Sequence, residues 1–266
     1  MAEFPTHALT TVWVGVSTQN KRQPTSWIKK VARDIAQEFF WSTYILGVVF
    51  LAALVRIRRV GQKPPRPCVL AVTHVSGYGF DPLFVVWASR HFRSFALYSM
   101  DRPNRFVRFL GQSFWRFGVT ADPTRKNTVN RRTLEMAVSY LRRGGVLQVY
   151  PEGEKFWEGR LYPGAAVLAR RAGVPLIAVG LENAPRYEPG VIGVPILRGL
   201  VHALRRTLAR RWIAVHFGSP IYPNPALPEK EDVDRMMNEL AQAFQKFYRD
   251  FYGLPGPIWL RKQEAE

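Results

Sequence analysis

Short apolar runs alternate with amphipathic stretches of helical periodicity along most of the chain. The apolar runs predict β-strands at Cys68–Thr73, Val146–Tyr150, Pro175–Leu181 and Trp212–Phe217. The amphipathic stretches predict helices at Asn104–Phe117, Arg131–Arg143, Gly164–Ala172 and Glu229–Tyr252. Because strands that alternate with helices are typical of α/β proteins, the pattern predicts an α/β domain with a mainly parallel sheet flanked by helices.

The N-terminal part of the chain has a different pattern. Residues 1–25 are polar and irregular, which predicts a loosely ordered lead. From Ser26, apolar residues recur at helical spacing among lysines and arginines, and the range Phe39–Val55 contains no charged residue. A helix over that range is about 25 Å long, which is short against a hydrocarbon core of about 30 Å. Basic residues stand on both sides of it, so their distribution gives no orientation.

This pattern predicts an N-terminal membrane-associated helical segment, and the expected location is the cytoplasmic face of the cell membrane. A pair of helices that lies in one leaflet is compatible with both the short apolar helix and the basic residues on either side of it. A single span and a buried helix of a soluble domain are the alternatives. The chain then divides into the lead at 1–25, membrane-associated helices at 26–62 and a main domain at 63–266 that begins with the linker KPPRP.

Composition narrows the classes of partner. The chain of 266 residues carries a net charge of +18, which favours polyanions such as nucleic acid, anionic lipid surfaces or phosphorylated substrates. A single cysteine, Cys68, excludes an intramolecular disulfide framework and a cysteine-based zinc site, and no metal site is predicted. The charge comes without a helix-turn-helix or an aromatic RNA-binding motif, so nucleic acid is the least favoured of these partners.

The stretch VTHVSGYGFDPLF, Val72 to Phe84, contains a candidate catalytic pair. His74 directly follows a predicted strand, and active sites of open α/β sheets lie at the carboxyl ends of strands. A carboxylate such as Asp81 that accepts from one imidazole nitrogen fixes the tautomer and leaves the other nitrogen as a base. Two glycines between them permit the tight backbone path that folds Asp81 back under His74. The alternative is a structural histidine followed by an ordinary turn.

A second candidate stretch, YPEGEK, begins at Tyr150, where another predicted strand ends. Glu152 and Gly153 therefore stand at the same edge of the predicted sheet as His74. Lys155 follows two residues later. The two stretches together predict a carboxylate and a cation beside the His–Asp pair.

Four sequence blocks resemble those of the glycerolipid acyltransferase family, which includes bacterial lysophosphatidate acyltransferases of the PlsC kind. The first block is His74 and Asp81 followed by PLFVV, and the second is the basic, aromatic stretch RFVRFLGQSFWRFGVTADPTR. The third is YPEGEK, and the fourth is VPLIA, Val174 to Ala178. The likeness covers roughly Cys68 to Ile221, and the third and fourth blocks together are its specific part.

The chain departs from the family pattern inside these blocks. Six residues separate His74 from Asp81 where the family has four, which indicates a two-residue insertion. Glu154 and Lys155 replace the family's threonine and arginine, and lysine lacks the planar fork that binds phosphate through two hydrogen bonds. Arg125 is the nearest counterpart of the second block's arginine. Because these are the anion-binding positions of the family, the identity of the acceptor stays open.

The resemblance implies transfer of an acyl group from acyl-CoA or acyl carrier protein to a hydroxyl of a lipid acceptor. The first expectation is lysophosphatidate or another lysophospholipid, in phospholipid biosynthesis or remodelling. The implied site consists of catalytic His74 and Asp81 and substrate-binding Glu152, Gly153, Lys155 and Arg125. No cofactor beyond the acyl thioester is implied, and the expected partners are membrane lipids, the acceptor, the thioester and acyl carrier protein.

Several alternatives remain open from the sequence. The acceptor could be a lipid without phosphate. The lengthened His74 loop could mark a membrane-bound relative that has lost catalysis, and the net charge allows a nucleic-acid-binding protein. Ser76 is the alternative nucleophile, although direct attack by an acceptor hydroxyl needs no acyl-enzyme, and a turn-capping role is the simpler interpretation of its hydroxyl.

Overall fold

The structure is a computed structural model that describes residues 35, 39, 42–43, 45–75, 80–99, 117–120, 126–153, 160–185 and 196–256. Its strands are β1 (Arg56–Val60), β2 (Cys68–Val72), β3 (Phe95–Ser99), β4 (Phe117–Val119), β5 (Val146–Val149), β6 (Leu176–Glu182) and β7 (Trp212–Phe217). Its helices are α1 (45–54), α2 (Phe80–Ser89), α3 (Lys126–Arg142), α4 (Gly164–Ala172), α5 (Ile196–Leu208) and α6 (Glu229–Phe247). A π-helical turn, Tyr248–Tyr252, extends α6.

The strands form a seven-stranded sheet in the order β1-β7-β6-β2-β5-β3-β4. Strand β2 is central and runs parallel to β5 and β6, and β5, β3 and β4 continue in the same direction. Strands β1 and β7 are parallel to each other, but β7 runs antiparallel to β6. The predicted α/β class with a mainly parallel sheet is confirmed.

His74 and Glu152 follow strands that end at one edge of this sheet. The carboxyl ends of β2, β5 and β6 lie there because the three strands are parallel neighbours. Strand β7 begins at the same edge because it is antiparallel to β6, with Glu182 opposite Ala214. Strand β1 also begins there, with Arg56 opposite Trp212. We call this edge of the sheet the His74 edge.

The core lies between the sheet and its helices. All five side chains of β2 are buried, as expected for a strand covered on both faces of a parallel sheet. Helices α3, α4 and α6 pack side by side, and α2 packs against β1 and β7. The apolar stripe predicted for the last helix is buried at Val233, Met236, Met237, Leu240, Phe244 and Phe247.

Most predicted elements are present with bounds that differ by a few residues. The main difference is β1, since Arg56–Val60 belonged to the predicted membrane-associated range and instead joins the sheet. Its arginine-rich sequence has no strand pattern, and its pairing with β7 is a tertiary effect. Strands β3 and β4 and the full extent of α5 also lacked a clear pattern. The helix predicted at Asn104–Phe117 lies outside the described residues, except for Phe117, which begins β4.

The part of the predicted membrane segment that forms α1 has two apolar faces. One face of α1 and the residue after it enter the core at Val48, Leu51 and Val55. The other face leaves large apolar side chains exposed, among them Leu46 and Phe50. Among the described residues, every helix falls short of the length and apolarity that crossing a bilayer requires.

Candidate active site

The predicted His–Asp contact is present at the His74 edge. Strand β2 continues by one further backbone hydrogen bond, from Thr73 N–H to the Val179 carbonyl, and His74 follows directly. Nδ1 of His74 lies 2.9 Å from Oδ2 of Asp81. The histidine side chain is 24% exposed, whereas the aspartate side chain is 0% exposed. A partly open imidazole is thus held by a carboxylate that solvent does not reach.

Asp81 lies on a helix and not on a loop. It is the second residue of α2, and the first turn of a helix has backbone N–H groups without intrahelical partners and a positive partial charge that stabilises an anion. Because an ionised carboxylate can only accept, Nδ1 of His74 donates in this contact, and the base role falls to Nε2. The residues between the pair that include Ser76, at 76–79, lie outside the described part of the chain.

Glu152 fixes the backbone of His74 from behind. Its Oε2 accepts a 2.7 Å hydrogen bond from the backbone N–H of His74, and its Oε1 accepts a 2.6 Å hydrogen bond from the Tyr248 hydroxyl. The residue is buried. Burial raises the pKa of Glu152 to about 7, against the opposing effect of these two hydrogen bonds. The structure therefore places Glu152 beneath His74, and its predicted contact with substrate stays a prediction.

Gly153 completes the turn after β5. Its φ of +67° lies in the left-handed region that side chains rarely adopt, and its N–H donates to the Tyr150 carbonyl at 3.0 Å. The Tyr150 ring lies 4.9 Å from the His74 ring, centroid to centroid. The turn thus carries Glu152 under the histidine and Tyr150 beside it. Its predicted contact with substrate, like that of Glu152, remains a prediction.

Two tyrosines of the π-helical turn support the strands that end at the site. The Tyr252 hydroxyl lies 2.8 Å from Oγ1 of Thr73, the residue before His74, and it contacts both backbone polar groups of Leu181. The Tyr248 hydroxyl supports Glu152. Burial raises the pKa of both tyrosines, so both hydroxyls keep their protons. Single π-helical turns are frequent at functional sites.

These tyrosines were missed in the sequence analysis. Nothing in the spacing of the last predicted helix separates a tyrosine that packs in the core from one that donates a hydrogen bond to a buried carboxylate. A pair of tyrosines four residues apart at the end of that helix, Tyr248 and Tyr252, is the available signal. This signal indicates a role at the site only when the contact between Tyr248 and Glu152 is known.

Lys155 and Arg125, the predicted anion-binding residues, are outside the described part of the chain. Cys68 is buried, and burial raises the pKa of its thiol to about 12, so it is not a candidate nucleophile. Within the described ranges, no three His, Cys, Asp or Glu side chains form a cluster that would hold a metal ion.

The fold and the site define an α/β protein with a general-base arrangement at the carboxyl end of its central strand. Residues 55–182 match the family model described as Acyltransferase. This range contains His74, Asp81 and Glu152, so the chain carries an acyltransferase-family segment, and the resemblance indicated by the sequence blocks is confirmed there.

Solved structures that resemble the chain include the crystal structure of the 1-acyl-sn-glycerophosphate (LPA) acyltransferase PlsC from Thermotoga maritima, with 15% sequence identity and a TM-score of 0.47. The likeness covers 81% of each chain. The chain has no match among curated protein sequences.

Proposed function

We propose that this protein is a glycerolipid acyltransferase that moves a fatty acyl group from acyl-CoA or acyl carrier protein to a hydroxyl of lysophosphatidate or another lysophospholipid. The observation that carries the proposal is the 2.9 Å contact between His74 and the buried Asp81 at the His74 edge. The acyltransferase family match over residues 55–182 supports the reaction class. The proposed process is phospholipid biosynthesis or remodelling.

The reaction needs one base and no covalent intermediate. Nε2 of His74 takes the proton of the acceptor hydroxyl while that oxygen attacks the thioester carbonyl carbon. Asp81 stabilises the imidazolium that results, as the orienting carboxylate of a triad does. When the tetrahedral intermediate collapses, the carbon–sulfur bond breaks and the thiolate takes the proton from His74. The products are an ester and a free thiol, and the histidine is again neutral.

The contacts of Glu152 and Asp81 with His74 suit the role of a general base. A base must be held within hydrogen-bonding reach of the acceptor, and a small displacement reduces the rate. Glu152 holds the His74 backbone, and Asp81 holds its ring. The two carboxylates therefore fix the histidine at both ends. This arrangement favours an active enzyme over a relative that has lost catalysis through the longer loop.

Substrate binding belongs to the proposal as well. Lys155 and Arg125 bind the anionic head group of the acceptor or the phosphates of the donor. The partners are membrane lipids and the acyl thioester, with acyl carrier protein as an alternative donor to acyl-CoA. The exposed apolar face of α1 and the net charge of +18 support attachment to an anionic membrane surface in monotopic form. No cofactor takes part.

The test is acyl transfer by the purified full-length chain in detergent micelles. Labelled acyl-CoA and labelled acyl carrier protein are each offered with lysophosphatidate, with other lysophospholipids and with acceptors that lack phosphate, such as monoacylglycerol. The His74→Ala protein is the matched control. We expect acylated lysophospholipid from the wild type, with a rate that is lost in the control.

Other outcomes separate the alternatives. Product only from acceptors without phosphate would retain the reaction class and replace the substrate. A wild type that never exceeds His74→Ala with any donor and acceptor would overturn the proposal in favour of an inactive relative. Binding of DNA that weakens as salt is raised, without acyl transfer, would indicate a nucleic-acid-binding protein.

A further inference from the structure

Helix α5 lies in a connection that leaves and re-enters the sheet at the His74 edge. Strand β6 ends there at Glu182, and β7 begins there at Trp212. The carbonyl of Trp212 accepts a 2.7 Å hydrogen bond from Nδ2 of Asn183, and Nη1 of Arg210 donates to Oδ1 of the same asparagine at 3.2 Å. Asn183 thus fixes the end of α5 beside the end of β6. With strands spaced about 4.8 Å apart, β7 starts roughly 10 Å from the strand that carries His74.

One face of α5 exposes apolar side chains to solvent. Val201 is 49% exposed, Leu204 38% and Leu208 42%. Residues spaced by three and four positions share one face of a helix, so the three form a continuous apolar stripe. Thr207, on another side of the helix, is buried against the protein. The stripe is therefore exposed on a side of the helix that differs from the side of the buried Thr207.

The charged residues of α5 and of the turn that follows it all have one sign. The range 196–211 contains no acidic residue. It contains five arginines, of which Arg205 and Arg211 are exposed. A helix with an apolar face, a basic polar face and low mean hydropathy is typical of elements that lie in the interface of an anionic bilayer.

A second apolar surface ends at the same edge. Strand β1 begins beside Trp212, and α1 immediately precedes it. On α1, the exposed apolar residues include Leu46, Phe50 and Leu54. The exposed arginines of β1 continue the positive charge, and the guanidinium carbon of Arg58 lies 5.7 Å from the centre of the Trp212 ring. Two apolar helices and a basic strand thus meet the sheet where the His–Asp pair lies.

We infer that α5 is a membrane-docking helix that inserts its stripe of Val201, Leu204 and Leu208 into the surface of an anionic bilayer. Together with α1 it turns the His74 edge toward the lipid. The inference rests on the membrane attachment of the proposed function and adds a second contact to it. With two contacts, the orientation of the sheet on the bilayer is fixed, and a lipid acceptor reaches the histidine without leaving the interface. An acidic carrier protein is the competing partner for the arginines, but the apolar stripe between them favours lipid.

The first test places an environment-sensitive fluorophore on the helix. Cys68 is buried and its thiol pKa is raised, so a cysteine introduced at the surface takes up the label selectively. Leu204→Cys carries the label on α5, and Met136→Cys carries it at a 43% exposed site on α3 as the matched control. Phosphatidylcholine vesicles with phosphatidylglycerol should shift the α5 emission to the blue, and raised salt should weaken the shift. The label on α3 should keep its emission in solution.

The second test changes the stripe itself. Leu204→Glu with Leu208→Glu should weaken binding to the anionic vesicles by roughly tenfold or more, since each leucine loses its burial in lipid. Met136→Glu should bind as the wild type does. Thermal midpoints of all variants confirm that they fold. The measurement does not need acyl transfer, so it is repeated in the His74→Ala background, where the same result is expected even if the proposed reaction were wrong.

Three results would overturn the inference. The first is an α5 label that does not respond to anionic vesicles, and the second is an equal response at position 136, which would indicate nonspecific adsorption. The third is full vesicle binding by the Leu204→Glu, Leu208→Glu protein. If the α5 label responds to an acidic acyl carrier protein and not to lipid, the helix is a protein-docking surface and not a membrane contact.

Discussion

The Tyr248 hydroxyl donates a 2.6 Å hydrogen bond to Oε1 of Glu152, although the two residues are 96 positions apart. Oε2 of the same carboxylate accepts from the His74 backbone N–H. The end of the last helix is thereby linked to the backbone of the candidate base through one buried side chain. The position of the histidine therefore depends on two residues that are distant from it in the sequence.

The His–Asp pair should behave as one unit. His74→Ala and Asp81→Asn should each lower kcat by about 10²–10⁴, because each disables the same proton transfer. The double variant should lose no more than the worse single variant. Ser76→Ala should cost far less, since direct attack by the acceptor needs no acyl-enzyme. Acyl-transfer rates beside thermal midpoints provide the measurement, and an inactive Ser76→Ala with an active His74→Ala would contradict this mechanism.

Tyr248 and Glu152 should act on kcat through the position of His74. Tyr248→Phe leaves a buried carboxylate oxygen without its donor and should lower kcat by about tenfold, with KM little changed. Glu152→Ala should be worse. Glu152→Gln should recover part of the loss, because its carbonyl can accept from His74 while its amide donates to Tyr248.

Tyr252→Phe is the control for that series. It removes an equally buried hydroxyl from the same turn, but one that contacts Thr73 and Leu181 and not Glu152. It should reduce thermal stability and affect kcat less than Tyr248→Phe does. Equal losses of kcat in both variants would show that only the stability of the turn matters.

Stability should depend on pH through Glu152. Burial raises the pKa of its carboxyl from 4.5 to about 7, so between these values the folded protein keeps a proton that the unfolded chain has released. The free energy of unfolding should therefore fall as pH rises from about 4.5 to about 7, by roughly 3 kcal/mol from this group. Chemical denaturation of the wild type and of Glu152→Gln across this pH range checks the prediction, because the glutamine side chain has no titratable proton. The exposed Glu135→Gln should follow the wild type, and a Glu152→Gln profile parallel to the wild type would refute the shift.

Attachment through α1 should depend on its exposed face. Leu46→Glu with Phe50→Glu should weaken binding to phosphatidylglycerol-containing vesicles by about tenfold, because both side chains are exposed in the protein and would be buried in lipid. Tyr222→Glu, an exposed site outside the helices, should bind normally. Removal of the whole segment is a poor test, since Leu51 and Val55 belong to the core and β1 to the sheet. Unchanged binding of the double variant would exclude α1 as an anchor.

Gly180 should be intolerant of any side chain. A Cβ at this position of β6 would lie 2.6 Å from Cγ of Phe247, so the end of α6 and the turn with Tyr248 would have to move. Gly180→Ala should destabilise the protein by about 1–3 kcal/mol and lower kcat as well. Gly164→Ala, where a Cβ meets nothing within 4 Å, is the control and should be neutral or stabilising. Equal thermal midpoints for both variants would show that this packing is loose.

Elements with a local sequence signal were predictable without the fold. The apolar runs predict β2, β5, β6 and β7 to within about one residue at each end, because a strand that is buried on both faces has consecutive apolar residues. The helical periodicity predicts both ends of α4. The pairing of His74 with Asp81 was also predictable, since a strand end and a short tether leave few places for the carboxylate. The acyltransferase resemblance rested on the same short blocks.

Features that depend on contacts between residues far apart in the sequence were not predictable from local patterns. Strand β1 has an arginine-rich sequence and becomes a strand because β7 offers it an open edge. Because β7 runs antiparallel to β6 and parallel to β1, both β7 and β1 begin at the His74 edge. The contacts of Glu152 with the His74 backbone and the Tyr248 hydroxyl also depend on the fold. No local pattern predicts them, because they depend on which remote residues pack against the carboxylate.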